Sequence, residues 1–307
     1  MKLEYRKIFK QAWQITKLHK FLWLFGLFLF WGNAVSFTYS MDNGKDNTPN
    51  AIYSQPWVIW LQTHPQTAFW VLLGVVLLFV ILVYLYFRCK IALLIAVKAL
   101  IDKQSTSIAK AMSASQSFFG RVVGVAVVTN LIILILGVII SAPVIYLNSV
   151  GLDWRAKVLL ILGLCILIPA AVVTSLINVL APMFVVFYDQ KIGESIRASF
   201  NLISKYWVTM LVFSIFTVVL VAMLFALIAI VVAPFVLLGI FAYHKMDPTM
   251  GLILTTTTIS LGLIVFLILQ SAAAVFQQAA WILAFFELIK PEKLPEQETL
   301  SATEVVS

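Results

Sequence analysis

Apolar residues along this chain gather into six long runs, and the polar stretches between them carry a helical period of their own. The runs are Phe21–Phe37, Ala68–Phe87, Val122–Leu147, Val158–Tyr188, Trp207–Ala242 and Gly251–Phe286. A helix needs about 20 apolar residues to cross the hydrocarbon core of a bilayer, so the pattern predicts six transmembrane helices. The first run is the shortest. The basic segment Met1–Lys20 that leads into it is long for the charged region of a signal peptide, and no small-residue cleavage site follows closely, so a retained span is expected. The last two runs exceed a perpendicular crossing and are expected to tilt or bend, with Pro234 placed for the bend.

Three of the polar stretches read as amphipathic helices. Tyr5, Ile8, Ala12 and Ile15 share one face against Arg6, Lys10, Gln14 and Lys17. In Ser105–Phe119 the shared face is Ile108, Ala111, Met112, Ser115, Phe118 and Phe119. In Lys191–Trp207 the stripe Ile192, Ile196, Phe200, Ile203 and Trp207 opposes Lys191, Glu194, Arg197, Asn201 and Lys205. Each fits a helix lying in the membrane interface with its basic side toward anionic headgroups. Lys10, Lys110 and Arg197 occupy equivalent places in the three, and the spans that follow in pairs end in Asp102, Asp189 and Glu287. The fold class expected is therefore an all-α membrane protein built as one domain over residues 1–290. Its units would be three repeated hairpins, 1–101, 102–188 and 189–290, each led by an interfacial helix, with 291–307 a disordered acidic cytoplasmic tail.

Charge settles the expected orientation. Of the 21 Lys and Arg residues, all but Lys45, Arg155, Lys157 and Lys245 fall in the N-terminal segment, the second and fourth connections and the C-terminal segment. The positive-inside rule places those segments, and both termini, in the cytoplasm. Trp13, Trp57, Trp60, Trp154 and Trp207 lie near span ends, where an indole is half apolar and half wet. Composition agrees, with 62% of the chain hydrophobic and 11% charged against about 25% charged in a soluble domain. The net charge of +8 does not point to nucleic acid, because the basic residues flank apolar spans and form no soluble basic domain. Cys89 and Cys165 are expected to be small hydrophobes with no disulfide or metal role, and no cofactor is expected.

Arg88 and Lys90 do not fit the repeat. Aligned on it, they fall opposite Ser175 and Ile177, inside the fourth span. Either the second span stops at Phe87 and its helix runs on along or above the membrane with the charges interfacial, or they face an internal aqueous cavity; a charge at mid-bilayer costs about 2.5–3.5 kcal/mol. With Lys10, Lys110 and Arg197 they form the candidate set for lipid-headgroup contact. No acidic residue lies mid-span to run a proton or sodium relay. The polar groups within spans are neutral, and Asn178, Gln270 and Gln277 form the candidate intramembrane cluster. Small and amide residues in the sixth span, including Ala273, Ala279 and Ala280, suit close helix packing. Gly120 and Gly124 form a GxxxG at the entry of the third span, and Pro169 and Pro182 mark a bent or broken fourth. His19, His64 and His244 are far apart, and there is no HExxH, GxSxG or phosphate-loop motif, so no catalytic residue is assigned.

The strings from Tyr5 to Phe28 and from Ile192 to Trp207 resemble a family of bacterial polytopic membrane proteins. The family includes the membrane domain that precedes the catalytic domain in some glycerophosphodiester phosphodiesterases. The resemblance implies a bacterial inner-membrane location. It carries over no catalytic residue, because Pro291–Ser307 is a short acidic stretch and not the catalytic barrel. The function expected is that of a non-enzymatic membrane protein that organises or assists other components through contacts with anionic lipids and a membrane-protein partner. The alternative is a transporter or channel for a small neutral or lipidic substrate.

Overall fold

A computed structural model describes residues 4–37, 60, 63–104, 106–245 and 247–289, and only the backbone at 30–37, 153 and 248. Eight helices account for the regular structure of the described residues: α1 Tyr5–Leu18, α2 Leu22–Phe37, α3 Pro65–Ile101, α4 Ile108–Ser149, α5 Asp153–Tyr188, α6 Ile192–Lys205, α7 Trp207–Lys245 and α8 Pro248–Ile289. Their ends follow ordinary capping chemistry. Pro65 opens α3, where its missing N–H would have had no partner in any case. The Ser107 hydroxyl accepts the Lys110 N–H at the start of α4. The Glu194 carboxylate accepts the Lys191 N–H at the start of α6. At the end of α5, Asp189 turns into the left-handed region (φ 54°), an uncommon choice for a residue with a Cβ. Arg121 holds it there, donating from Nη1 to the Asp189 carbonyl at 3.1 Å and pairing through Nη2 with its carboxylate at 2.7 Å.

Five helices, α3, α4, α5, α7 and α8, are long and apolar enough to cross a membrane. The run Phe21–Phe37 forms α2, described over 16 residues up to the edge of the described region at Phe37, and it is not among these five. The segment expected to be an interfacial helix over Ser105–Phe119 is not a separate element. It begins at Ile108 and runs without a break through Gly120 into the third apolar run, because no proline or capping residue interrupts it. Pro143, Pro169, Pro182 and Pro234 likewise sit inside continuous helices. The tail at 291–307 lies outside the described residues, as do Lys45 and Trp57.

At 1.5 Å per residue the 37 residues of α3 measure about 55 Å, far more than the roughly 30 Å hydrocarbon core. The excess is used for packing. In α3 the first half is exposed almost throughout, whereas Cys89, Ile91–Leu94, Ala96 and Val97 are buried. The same division recurs in α5, buried from Leu176 to Val185, and in α8, buried at most positions from Gln270 to Leu288. These three half-helices touch one another and form the centre of a single apolar cluster. Phe184 meets Phe285 edge-on at 5.0 Å, Phe187 stacks on Phe286 at 5.1 Å, and the Lys98 ammonium lies 5.3 Å from the Phe187 ring centre. The most apolar stretch of each long helix is only 6–17% buried, which leaves it to face lipid.

Around that centre, α4 packs on α3 and α5, α2 on α3 and α8, and α7 on α8. On α1, Ile8 and Ala12 of the expected stripe are buried, and Tyr5 and Phe9 stack on Phe213 of α7 at 6.3 and 5.7 Å. On α6 the buried face is rotated from the expected stripe but overlaps it, with Ile203 buried and Ile192 and Ile196 packed against the core. Ser195, Ser199, Leu202 and Ile203 are the buried residues, while Phe200 and Trp207 stay more than half exposed. Two serines can face inward because each hydroxyl returns to its own helix, Ser195 to the Ile192 carbonyl and Ser199 to the Ser195 carbonyl. Their small size brings α6 close to its neighbours. Gly124 of α4 serves the same approach, since a Cβ there would lie 2.5 Å from Ile192 Cδ1.

Candidate functional site

Arg88 and Lys90 are two residues apart on α3, about 200° around the helix, so their side chains diverge. Arg88 reaches α4, donating from Nη2 to the Met112 carbonyl at 2.7 Å and from Nη1 to the Tyr84 hydroxyl at 3.0 Å. Its Nε is buried without a partner. Lys90 reaches α5, where its ammonium donates to the Asn178 carbonyl at 3.3 Å and lies 6.0 Å from the Tyr86 ring centre. Both are half-buried between packed helices. Neither stands free in an open cavity or at a bare interface.

The choice of Asn178 has a cause in the sequence. A backbone carbonyl within a helix accepts from the N–H four residues on. For Asn178 that residue is Pro182, which has no N–H. Lys90 donates to the carbonyl that the proline leaves open. The Asn178 side chain is occupied as well, since its Oδ1 accepts a short hydrogen bond from the Thr129 hydroxyl of α4. One residue of α5 therefore ties together α3, α4 and α5.

Gln270 and Gln277 do not join it. Both lie on α8, Gln270 buried with its Oε1 unpartnered and Gln277 half-buried, and no hydrogen bond among the described residues links either to Asn178. Their neighbours do what the composition of α8 suggests: the Ser271 hydroxyl donates a short bond to the Trp23 carbonyl of α2, and Gly26 lies directly against the Ser271 backbone. Thr129 and Lys90 are the partners that the sequence reading missed. Pro182, four residues beyond Asn178, was the available signal.

Lys10 on α1, Lys110 on α4 and Arg197 on α6 are all exposed, and none makes an ion pair among the described residues. The helix segments that carry them are each seated on one of the three central helices: α1 on α8, the start of α4 on α3, and α6 on α5. A hollow of about 350 Å³ lies between α4, α5 and α6, walled by Thr129, Ile132, Pro169, Ala170, Val173, Thr174, Ile177, Ile196 and Phe200. Among the described residues no three of His, Cys, Asp and Glu gather in a way that could hold a metal ion. Compared with protein families, curated proteins and solved structures, the chain finds no match.

Proposed function

We propose that this chain is a non-enzymatic integral membrane protein that organises or assists other membrane components through contacts with anionic lipids and a membrane-protein partner. The observation that carries the reading is the set of three exposed cations, Lys10, Lys110 and Arg197, unpaired among the described residues, on helical segments seated against the central helices. A basic helix face that the protein itself does not neutralise is suited to an anionic surface, where each Lys or Arg contributes about 1 kcal/mol. In the finer version of this reading the chain crosses a bacterial plasma membrane six times, α2 making the first crossing, with both termini cytoplasmic. The cyclic seating of the three lead-in segments, each on the last helix of the preceding unit, supports three repeated hairpins. Leu93, Leu94, Leu180, Met183, Ile282 and Phe285 of α3, α5 and α8 are all buried in the one apolar cluster these helices share. That packing weighs against the transporter or channel alternative, which asks for a polar passage there.

The test uses the whole chain reconstituted in phosphatidylcholine nanodiscs doped with phosphatidylglycerol. The wild-type protein should retain phosphatidylglycerol on re-extraction in excess of its share. Lys10→Glu, Lys110→Glu and Arg197→Glu together should abolish that excess, at roughly fivefold for each charge removed. An unchanged excess would refute the reading.

A further inference from the structure

The ring of helices around the centre is incomplete at one place. In two of the three units the first long helix packs on the central helix of the unit before it: α4 on α3, and α2 on α8. The third such interface would join α7 to α5, and those two helices share no packed interface; α6 touches both and bridges them. The 350 Å³ hollow lies beside the bridging α6, between α5 and α4, and no residue of α7 walls it.

We infer that the hollow holds one acyl chain of an anionic phospholipid, with its phosphate against Arg197. This deepens the lipid-contact reading above and rests on it. Three observations favour that occupant. First, the hollow is apolar even where its residues are not. The Thr129 hydroxyl donates to the Val125 carbonyl and Asn178, and the Thr174 hydroxyl to the Ala170 carbonyl, so neither has a proton left to donate to a polar guest. Second, its size suits a chain. Pro169 to Ile177 is about 12 Å of helix, and at roughly 30 Å³ per water-sized group 350 Å³ admits on the order of ten chain carbons. Third, the charge is at the correct end. Ile196 and Phe200 of α6 close the hollow, and Arg197, exposed and without an ion pair among the described residues, follows Ile196 directly. The rotation of α6 that buries its serines is what turns Phe200 outward to this place.

The experiment reconstitutes the full chain with phosphatidylglycerol or phosphatidylcholine bearing a photoactivatable diazirine in one acyl chain, and maps the labelled peptides by mass spectrometry. Label from phosphatidylglycerol should concentrate on Ile132, Val173, Ile177 and Phe200. It should fall roughly fivefold with phosphatidylcholine or in Arg197→Gln, the contribution of one basic residue at an anionic surface. Ala170→Phe, which fills the hollow, should remove this label while leaving that on the exposed half of α3 unchanged, which shows that the variant is folded. Label spread evenly over all the exposed half-helices, or equal from the two lipids, would overturn the inference. If phosphatidylglycerol is still retained in nanodiscs when that happens, the hollow fails and the lipid-contact reading stands; if it is not retained, both fail. Disulfide-linked dimers through Phe200→Cys in a Cys165→Ser background would place a second copy there and also overturn it.

Discussion

Replacing Lys90 by Met tests the link between α3 and α5 most sharply when it is done twice, once in the native chain and once with Pro182→Ala. In the native chain the Asn178 carbonyl has no amide partner, because Pro182 cannot donate, and the Lys90 ammonium at 3.3 Å is its donor. A hydrogen bond involving a charged group is worth about 1.5–3 kcal/mol; the long distance argues for the lower part of that range. Opposing it is the cost of keeping an ammonium half-buried among helices, which the Met variant removes, so the single substitution alone has no clear sign. The double-mutant cycle removes this ambiguity. The burial cost is common to both backgrounds and cancels, whereas the Pro182→Ala variant supplies the missing N–H and makes the ammonium dispensable. Lys90→Met should therefore be more damaging in the native chain than in Pro182→Ala by about 1–2 kcal/mol, within the usual range for residues in contact. Unfolding of the purified protein in mixed micelles, by increasing the share of denaturing detergent, reads the four stabilities. A coupling below about 0.5 kcal/mol would mean that the ammonium does not replace the proline's amide.

Two other substitutions probe the packing. Gly26→Val puts a Cβ against the Ser271 backbone of α8 and should cost about 1–3 kcal/mol, as overpacking does, in the same micelle assay; Gly74→Val, where a Cβ meets nothing within 4 Å, is the matched control and should be nearly silent. The two cysteines should separate under alkylation by a membrane-permeant maleimide. Cys165 is exposed on the lipid-facing half of α5 and should react slowly in the folded protein, because a thiol facing hydrocarbon is rarely ionised, whereas the buried Cys89 should react only after denaturation. Equal labelling of both would contradict the buried half of α3.

The sequence could be read where lipid and protein make the same demand, and misled where they differ. Hydropathy located the long helices because exposed apolar stretches such as Ala68–Phe87 must match the bilayer. It left open whether the residues beyond Phe87 are interfacial, since Arg88 ends the apolar run, whereas the expected end at Asp102 is where the helix stops. The stripe on α1 was legible because Ile8 and Ala12 pack against protein. The stripe on α6 was legible only in part, through Ile192, Ile196 and Ile203, because helices in membranes often pack through small residues and leave large ones outside, as Ser195, Ser199 and Phe200 do. The grouping of Asn178 with Gln270 and Gln277 failed for another reason. Shared polarity within spans says nothing about which helix lies beside which, and Lys90 and Asn178 are separated by 88 positions.

The long helices are gathered at one end and open to solvent lipid at the other, and this division bears on the shape of the surrounding bilayer. Where α3, α5 and α8 pack directly on one another, few lipid molecules are admitted; toward their opposite ends the hairpins α4–α5 and α7–α8 and the first half of α3 each need a lipid coat of their own. Because the packed ends are the length in excess of the hydrocarbon core, the headgroup layer on that side and the hydrocarbon give up unequal areas to the same molecule. An inclusion of that kind is a wedge, at lower free energy in a membrane that is already bent to match it, and many copies together would favour that bend.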